Sequence, residues 1–92
     1  PPLRFLVYNA RMRVRIITFA ALAAQMSRAE LALDLPKGAT VGEALDALAA
    51  AHEPVRAMGD RLATAVNMAY VRRDHRLSDG DELALIPPVS GG

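Results

Sequence analysis

The chain has 92 residues, of which 52% are apolar and 23% are charged, a composition typical of one globular domain with a modest aliphatic core. Eleven basic and ten acidic residues leave a net charge of +1, which argues against nucleic acid or an anionic membrane as the main partner, because both bind clustered positive charge. The sequence contains no cysteine, so it offers no disulfide, thiolate metal site or thiol nucleophile, and this absence fits a reducing, cytoplasmic location.

The sequence divides into an extension, one domain and a tail. Met12 has the character of a native start, so residues 1–11 are interpreted as an N-terminal extension or an expression remnant. Residues 12–86 carry the strong hydrophobic patterns and are predicted to form the domain. Residues 87–92, with the sequence Pro-Pro-Val-Ser-Gly-Gly, are predicted to form an extended tail.

Two strands are predicted near the start of the domain. Residues 13–19 are rich in β-branched side chains and begin with alternating arginine and aliphatic residues, which is typical of a strand. Residues 20–28 are rich in alanine and favour a short helix or turn. The apolar run after the arginines also resembles a secretion signal, but a buried strand followed by an Ala-rich turn is the preferred interpretation. Residues 30–35 alternate again, with three leucines on one face, and form the second predicted strand.

A helix is predicted to begin after Thr40. Thr40 and Glu43 have the spacing of a capping box, in which the threonine hydroxyl accepts from the backbone N–H of Glu43 and the carboxylate accepts from Thr40. The apolar residues that follow recur at helical spacing and form one face: Val41, Ala44, Leu45, Leu48 and Ala49. Pro54 is predicted to end the helix, and residues 56–61 are interpreted as a loop.

Two or three short strands are predicted in the second half. Residues 62–66 and 69–72 are apolar runs on either side of a turn, and a Ser-Asp-Gly-Asp turn precedes the last strand, residues 82–86. Pro87-Pro88 cannot donate ladder hydrogen bonds, so the sheet is expected to end there. The element order predicts an α+β fold with a mixed sheet and one main helix packed on one face, the β-grasp or ubiquitin-like arrangement.

Few side chains outside the tail suggest chemistry. His52 and His75 are the only histidines, and neither has a neighbour at metal-ligand spacing, so no metal site is expected. The sequence has no Gly-rich phosphate loop and no nucleophile elbow. A self-sufficient enzyme is therefore not expected.

The tail is the most unusual segment. Six extended residues reach roughly 20 Å at about 3.3–3.6 Å per residue. Pro87 and Pro88 stiffen its base, whereas Gly91 and Gly92 lack side chains, so the backbone can pass through a channel too narrow for any Cβ. The carboxylate of Gly92 is then the one functional group at the tip.

The last strand and the tail also carry the most specific pattern in the chain. It includes Asp79-Gly80-Asp81-Glu82 and Ile86-Pro87-Pro88-Val89-Ser90-Gly91-Gly92, preceded by Phe19-Ala20, Ala65-Val66-Asn67, Asp74-His75 and Leu77. Through these segments the sequence from Met12 to Gly92 resembles the small, sulfur-carrier subunits of molybdopterin synthase. The thiamine-pathway sulfur carriers have a similar fold and Gly-Gly end, but they typically lack the Pro-Pro pair.

The resemblance implies a sulfur-donating role for Gly92. A ubiquitin-activating-like adenylating enzyme would activate its carboxylate with ATP, and a sulfur donor protein would convert the adenylate into a thiocarboxylate. The tail would then enter the large synthase subunit and pass sulfur to a cyclic pyranopterin monophosphate, giving molybdopterin. The residues expected to thread into that subunit are Pro87, Pro88, Val89, Ser90 and Gly91. The resemblance further implies a heterotetramer of two small and two large subunits, and no cofactor bound to this chain itself.

The family also implies a docking surface. The positions of Phe19, Tyr70 and Ile86 form an apolar partner-contact patch in relatives, and here all three are large and apolar or aromatic. Strand alternation places Leu83 and Leu85 toward the helix and Ile86 on the opposite face. Many relatives have an Arg-Glu pair where this chain has Ala23-Ala24, so a contact to the activating enzyme is missing here or is supplied by another residue, such as Arg28.

Two alternatives to the sulfur-carrier hypothesis remain open at this point. The same tail would serve a protein modifier that forms an isopeptide bond through Gly92, with Lys37 as the only lysine on which the protein could build chains of itself. The third hypothesis is a binding domain whose tail has no function.

Overall fold

The structure is a computed structural model that describes residues 11–88. Most of the predicted extension (residues 1–10) and most of the predicted tail (residues 89–92) lie outside the described residues. In chain order the elements are β1 (Arg11–Thr18), α1 (Ala20–Met26), β2 (Glu30–Pro36), α2 (Val41–Ala51), α3 (Glu53–Met58), a 3-10 helix (Gly59–Arg61), β3 (Ala63–Val66), β4 (Ala69–Tyr70) and β5 (Glu82–Ile86).

The five strands form one mixed sheet in the order β2-β1-β5-β3-β4. β1 and β5 pair in parallel at its centre, and the other three pairings are antiparallel. The predicted two-layer α+β architecture is confirmed, with α2 as its longest helix.

Strand alternation decides which side chains enter the core. In β1, Met12, Val14 and Ile16 are buried, whereas the arginines between them are exposed. In β5, Leu83 and Leu85 are fully buried, as the alternation predicts. The helices contribute the other side of this core, mainly through Leu22, Val41, Ala44, Leu45, Leu48 and Val55.

The predicted capping box is present at the start of α2. The backbone N–H of Glu43 donates to Thr40 Oγ1 at 3.2 Å, and the backbone N–H of Thr40 donates to Glu43 Oε1 at 2.9 Å. The carboxylate of Glu43 accepts hydrogen bonds from the backbone N–H and from the hydroxyl of Thr40, and these favour its charged form and hold the pKa of Glu43 below its ordinary value of 4.5.

The helical region differs from the prediction in two respects. α2 ends at Ala51, and Pro54 does not simply stop a helix but lies in the first turn of α3. An N–H is unpaired in a first turn in any case, so proline is tolerated there. The loop predicted over residues 56–61 is wrong, because this segment forms the end of α3 and the 3-10 helix.

The strand bounds differ from the prediction by one or two residues at half of the strand ends. β1 begins at Arg11 rather than at residue 13, and β4 ends at Tyr70 rather than at residue 72. The last predicted strand, residues 82–86, matches β5. The Ala-rich segment forms the short helix α1, one of the two outcomes expected for it.

The capping box makes acid stability depend on Glu43. A carboxylate with a lowered folded-state pKa contributes stability above its unfolded-state pKa, and this contribution is lost as pH falls through the folded-state pKa. Glu43→Gln keeps a side chain that can bond to the cap but removes the titration. We therefore expect the urea midpoint of the wild type to fall more steeply below about pH 4.5 than that of the variant. Parallel profiles for the two proteins would contradict this.

Candidate partner-docking face and tail root

The sheet has a face turned away from the helices, which we call the outer face. The strand register places Ile17 beside Ala84, Ala84 beside Ala65, and Ala65 beside Tyr70. These four side chains form an apolar row across four strands. Ala65 is only 6% exposed although it lies on the outer face, so neighbouring side chains already cover it.

The three residues predicted as a contact patch all lie along this face. Phe19 directly follows Thr18, which pairs with Leu85, so Phe19 lies beside Ile86. Tyr70 lies on the edge strand at the end of the apolar row. Phe19 is 46% exposed and Tyr70 is 76% exposed, whereas Ile86 is half-buried. Their exposure leaves apolar surface that a partner can cover, but their contact role stays a prediction.

The opposite half of the outer face is charged. Arg13 donates to Asp34 at 2.8 Å, and Arg15 forms ion pairs with Glu30 (2.9 Å) and with Glu82. The hydrogen bond from Arg13 lowers the pKa of Asp34. The outer face therefore consists of an apolar half and a charged half with paired signs.

The tail leaves the domain at the apolar end of this face. β5 ends at Ile86, Pro87 is buried, and Pro88 is exposed, and we call these three residues the tail root. Pairing of Ile86 with Ala63 is the last ladder contact before the prolines, as expected for residues that cannot donate. The other predicted tail residues lie outside the described residues: Val89, Ser90, Gly91 and Gly92.

Sequence reasoning missed one exposed residue near this face. Met68 is 92% exposed and has a φ of +74°, in the turn between β3 and β4. The preceding Asn67 also has positive φ, and its side chain donates to Asp81 at 2.9 Å and accepts from the backbone N–H of Glu82 at 3.0 Å. The two-residue turn was predictable, but its left-handed backbone at a methionine was not, because glycine is the usual residue there.

The other residues singled out from the sequence take structural positions. Ala23 and Ala24 lie in α1, and the Arg28 carbonyl accepts a hydrogen bond from the Thr18 hydroxyl at 2.8 Å. Within residues 11–88 no group of three or more His, Asp or Glu side chains is placed to hold a metal ion. No helix in the described part of the chain is long and apolar enough to cross a membrane.

The sequence matches the family model described as "ThiS family" over residues 16–92. The chain belongs to the ThiS family. It is 34% identical over 83 residues to the molybdopterin synthase sulfur carrier subunit of Chlamydomonas reinhardtii, covering 88% of this chain and all of the relative. It is 42% identical over 82 residues to small archaeal modifier protein 1 of Haloferax volcanii, covering 80% of this chain and 94% of the relative.

Solved structures agree with this ThiS-family assignment. The crystal structure of the Haloferax protein superposes with a TM-score of 0.77 at 36% identity, covering 87% of this chain and 99% of that one. A complex of subunits 1 and 2 of the molybdopterin-converting factor from Helicobacter pylori contains a chain that matches with a TM-score of 0.63 at 26% identity, covering 88% and 100%. The ubiquitin of Caldiarchaeum subterraneum shares the fold, with a TM-score of 0.62 at 19% identity over 89% and 99% of the two chains. The predicted β-grasp fold and the predicted relationship to the molybdopterin synthase sulfur carriers are both confirmed.

The backbone at Met68 gives a stability prediction for the turn. A residue with a side chain costs about 1 kcal/mol more than glycine in the left-handed conformation. Met68→Gly and Met68→Ala both remove the exposed side chain, but only glycine relieves the backbone. We expect Met68→Gly to be about 1 kcal/mol more stable than Met68→Ala in urea unfolding. Equal stabilities would show that the turn is not strained at this position.

Proposed function

We propose that this chain is the sulfur-carrier subunit of a molybdopterin synthase and that Gly92 bears the transferred sulfur. Membership of the ThiS family and the names of the relatives in Chlamydomonas and Helicobacter support this role. The structural observation that carries the proposal is apolar surface on the outer face: the exposed Phe19 and the half-buried Ile86 lie where the tail departs, and the exposed Tyr70 lies at the other end of the apolar row.

The first step is activation of the Gly92 carboxylate. A carboxylate is a poor electrophile, and an adenylating enzyme makes it reactive by joining one carboxylate oxygen to the α-phosphorus of ATP with release of pyrophosphate. A sulfur donor protein then delivers sulfur at the oxidation level of sulfide, which forms a C–S bond at the acyl carbon while the C–O bond to AMP breaks and AMP leaves. The product is a thiocarboxylate whose ionised sulfur is a soft nucleophile.

The second step is delivery of that sulfur. The thiocarboxylate enters the active site of the large subunit, where a cyclic pyranopterin monophosphate accepts the sulfur. The dithiolene of molybdopterin holds two sulfur atoms, so two thiocarboxylates each give up one, and water restores the carboxylate of each Gly92. ATP is consumed by the activating enzyme, and this chain holds no cofactor of its own. Its part is to carry, position and present the reactive end in the cytoplasm, with the catalytic groups supplied by the large subunit.

The tail and the contact patch of Phe19, Tyr70 and Ile86 have separate functions in this proposal. The patch gives the large subunit apolar surface to cover, and Pro87 fixes the direction in which the tail departs. One tail for each active site requires equal numbers of small and large subunits, and a heterotetramer of two small and two large subunits has that ratio.

Removal of Gly91 and Gly92 tests the role of the tail. These residues follow the buried part of the domain, so we expect an unchanged unfolding midpoint and retained binding to the large subunit. Molybdopterin formation by the reconstituted complex, measured by fluorescence of its oxidised pterin, should be lost. Full activity of the truncated chain would refute the proposal.

Substitution of Tyr70 tests the patch. An exposed aromatic residue contributes little to folding, whereas one buried at the centre of an interface is often a hot spot. We expect Tyr70→Ser to keep the unfolding midpoint but to weaken binding to the large subunit by about tenfold or more, measured by calorimetry. Ala47→Ser is the control, since it changes an exposed residue of α2, which lies on the other side of the sheet from the patch. Equal affinity of both variants and the wild type would place the interface elsewhere.

A second candidate function is protein modification through Gly92. It is favoured by the 42% identity to the small archaeal modifier protein of Haloferax. Intact-mass analysis of cell extracts separates the two functions. Isopeptide adducts on other proteins indicate modification, whereas exchange of one oxygen for sulfur on the free chain indicates sulfur transfer. A thiamine-type carrier would also form the thiocarboxylate, but it would not support molybdopterin formation with the large subunit.

A further inference from the structure

The activated carboxyl group of Gly92 must not react with amines of its own chain. An acyl-adenylate at Gly92 reacts with any amine that reaches it, and a lysine Nζ would attack the acyl carbon to form an amide. The C–O bond to AMP would break, the amine proton would pass to solvent, and the carrier would be lost. An arginine guanidinium stays protonated and does not compete, so arginine supplies positive charge without this side reaction.

The distribution of basic residues fits that requirement. Lys37 is the only lysine in the sequence, and the other ten basic residues are arginines. Lys37 follows β2, whose last residue, Pro36, pairs with Arg11 at the beginning of β1. The tail root lies at the opposite end of β1, because Leu85 pairs with Thr18.

The reach of the tail falls short of Lys37. The eight residues of β1 separate the two ends of the sheet by about 23 Å at about 3.3 Å per residue, and β2 lies a further strand away from β5. Six tail residues span at most about 20 Å. The tail would have to lie straight along its own sheet even to approach the lysine amine.

Exposed arginines lie closer to the tail root. Arg72 is one of them, since Val71 donates to the Thr64 carbonyl and Arg72 therefore lies opposite Ala63. Arg28 and Arg61 flank the tail root on its two sides. The Arg28 carbonyl and the next carbonyl, of Ala29, accept hydrogen bonds from Thr18 at 2.8 and 2.9 Å, on the side of β1 that faces away from β5 and at the end of β1 that pairs with Leu85. Arg61 comes two residues before Ala63, the partner of Ile86. The side chains of Arg28 and Arg61 are exposed, and both lie well within the reach of six residues.

Neither arginine is explained by folding. The Arg61 side chain makes only long hydrogen bonds, of 3.3 and 3.4 Å, to carbonyls of its own turn, and within residues 11–88 the Arg28 side chain forms no hydrogen bond or ion pair. Arg73 is different, because its guanidinium donates to the Leu62 carbonyl at 3.0 Å and reaches two further acceptors at 3.5 Å. A lysine could not reproduce that set of contacts, so Arg73 has a structural reason to be arginine.

We infer that Arg28 and Arg61 are specificity-determining residues that keep the surface around the tail root free of amines. They direct the activated Gly92 carboxyl to the external sulfur donor rather than to the chain itself. The inference rests on the proposed function, in which Gly92 becomes an acyl electrophile.

The test uses an acyl electrophile made without any activating enzyme. The full chain is expressed as an intein fusion and cleaved with a small thiol, which leaves a thioester at Gly92. Attack by a lysine Nζ forms an amide, expels the thiol and yields a cyclised chain, whereas hydrolysis yields the free carboxylate. The two products differ by one water in intact mass. Arg28→Lys and Arg61→Lys are compared with wild type and with Arg11→Lys, which makes the same change at the far end of β1.

We expect Arg28→Lys and Arg61→Lys to form the cyclised product at least about fivefold faster than wild type and Arg11→Lys, at protein concentrations low enough to suppress reaction between chains. Equal rates in all four proteins would overturn the inference. The unfolding midpoints should agree, because all three substitutions are at exposed positions. Failure of the proposed function would appear elsewhere, as the absence of thiocarboxylate after treatment with adenylating enzyme, ATP and sulfur donor.

Discussion

The parallel pairing of β1 with β5 is the contact on which the rest of the structure depends. It joins the first and last strands of the domain at the centre of the sheet and buries Ile16 against Leu83. A parallel pair requires a long crossover, and the chain between these strands supplies it together with the helices that cover one face. The same pairing brings Phe19 next to Ile86. The apolar patch and the tail root are therefore adjacent only because this pair forms.

Local sequence signals predicted the parts of the fold in which one chemical preference dominates. Alternation in residues 13–19 and 82–86 identified two strands and their buried faces. Side chains of a strand point alternately to its two faces, so only one face can carry all the large aliphatic side chains. The capping box identified the start of α2, because Thr40 and Glu43 satisfy each other's backbone groups within one turn. The outward position of Ile86 followed from the same alternation.

Other features depend on contacts distant in sequence, and the sequence alone did not reveal them. Pro54 is compatible with a helix end and with a helix start, and α3 forms because Val55 is buried in the core cluster. Arg15 pairs with both Glu30 and Glu82, which are brought together only by the strand order. The apolar row that ends at Tyr70 likewise depends on the register of four strands. Sequence reasoning found the members of the patch through family resemblance, but not the alanines between them.

The two halves of the outer face make different contributions to the proposed complex. Exposed ion pairs such as Arg13 with Asp34 contribute little to folding, because water and salt screen them. Their fixed pattern of charge is better suited to setting the orientation of a partner. The apolar half provides surface to bury but little directional information. Since the tail leaves from the apolar end, a partner aligned by the charges and seated on that end would receive the tail at one defined point.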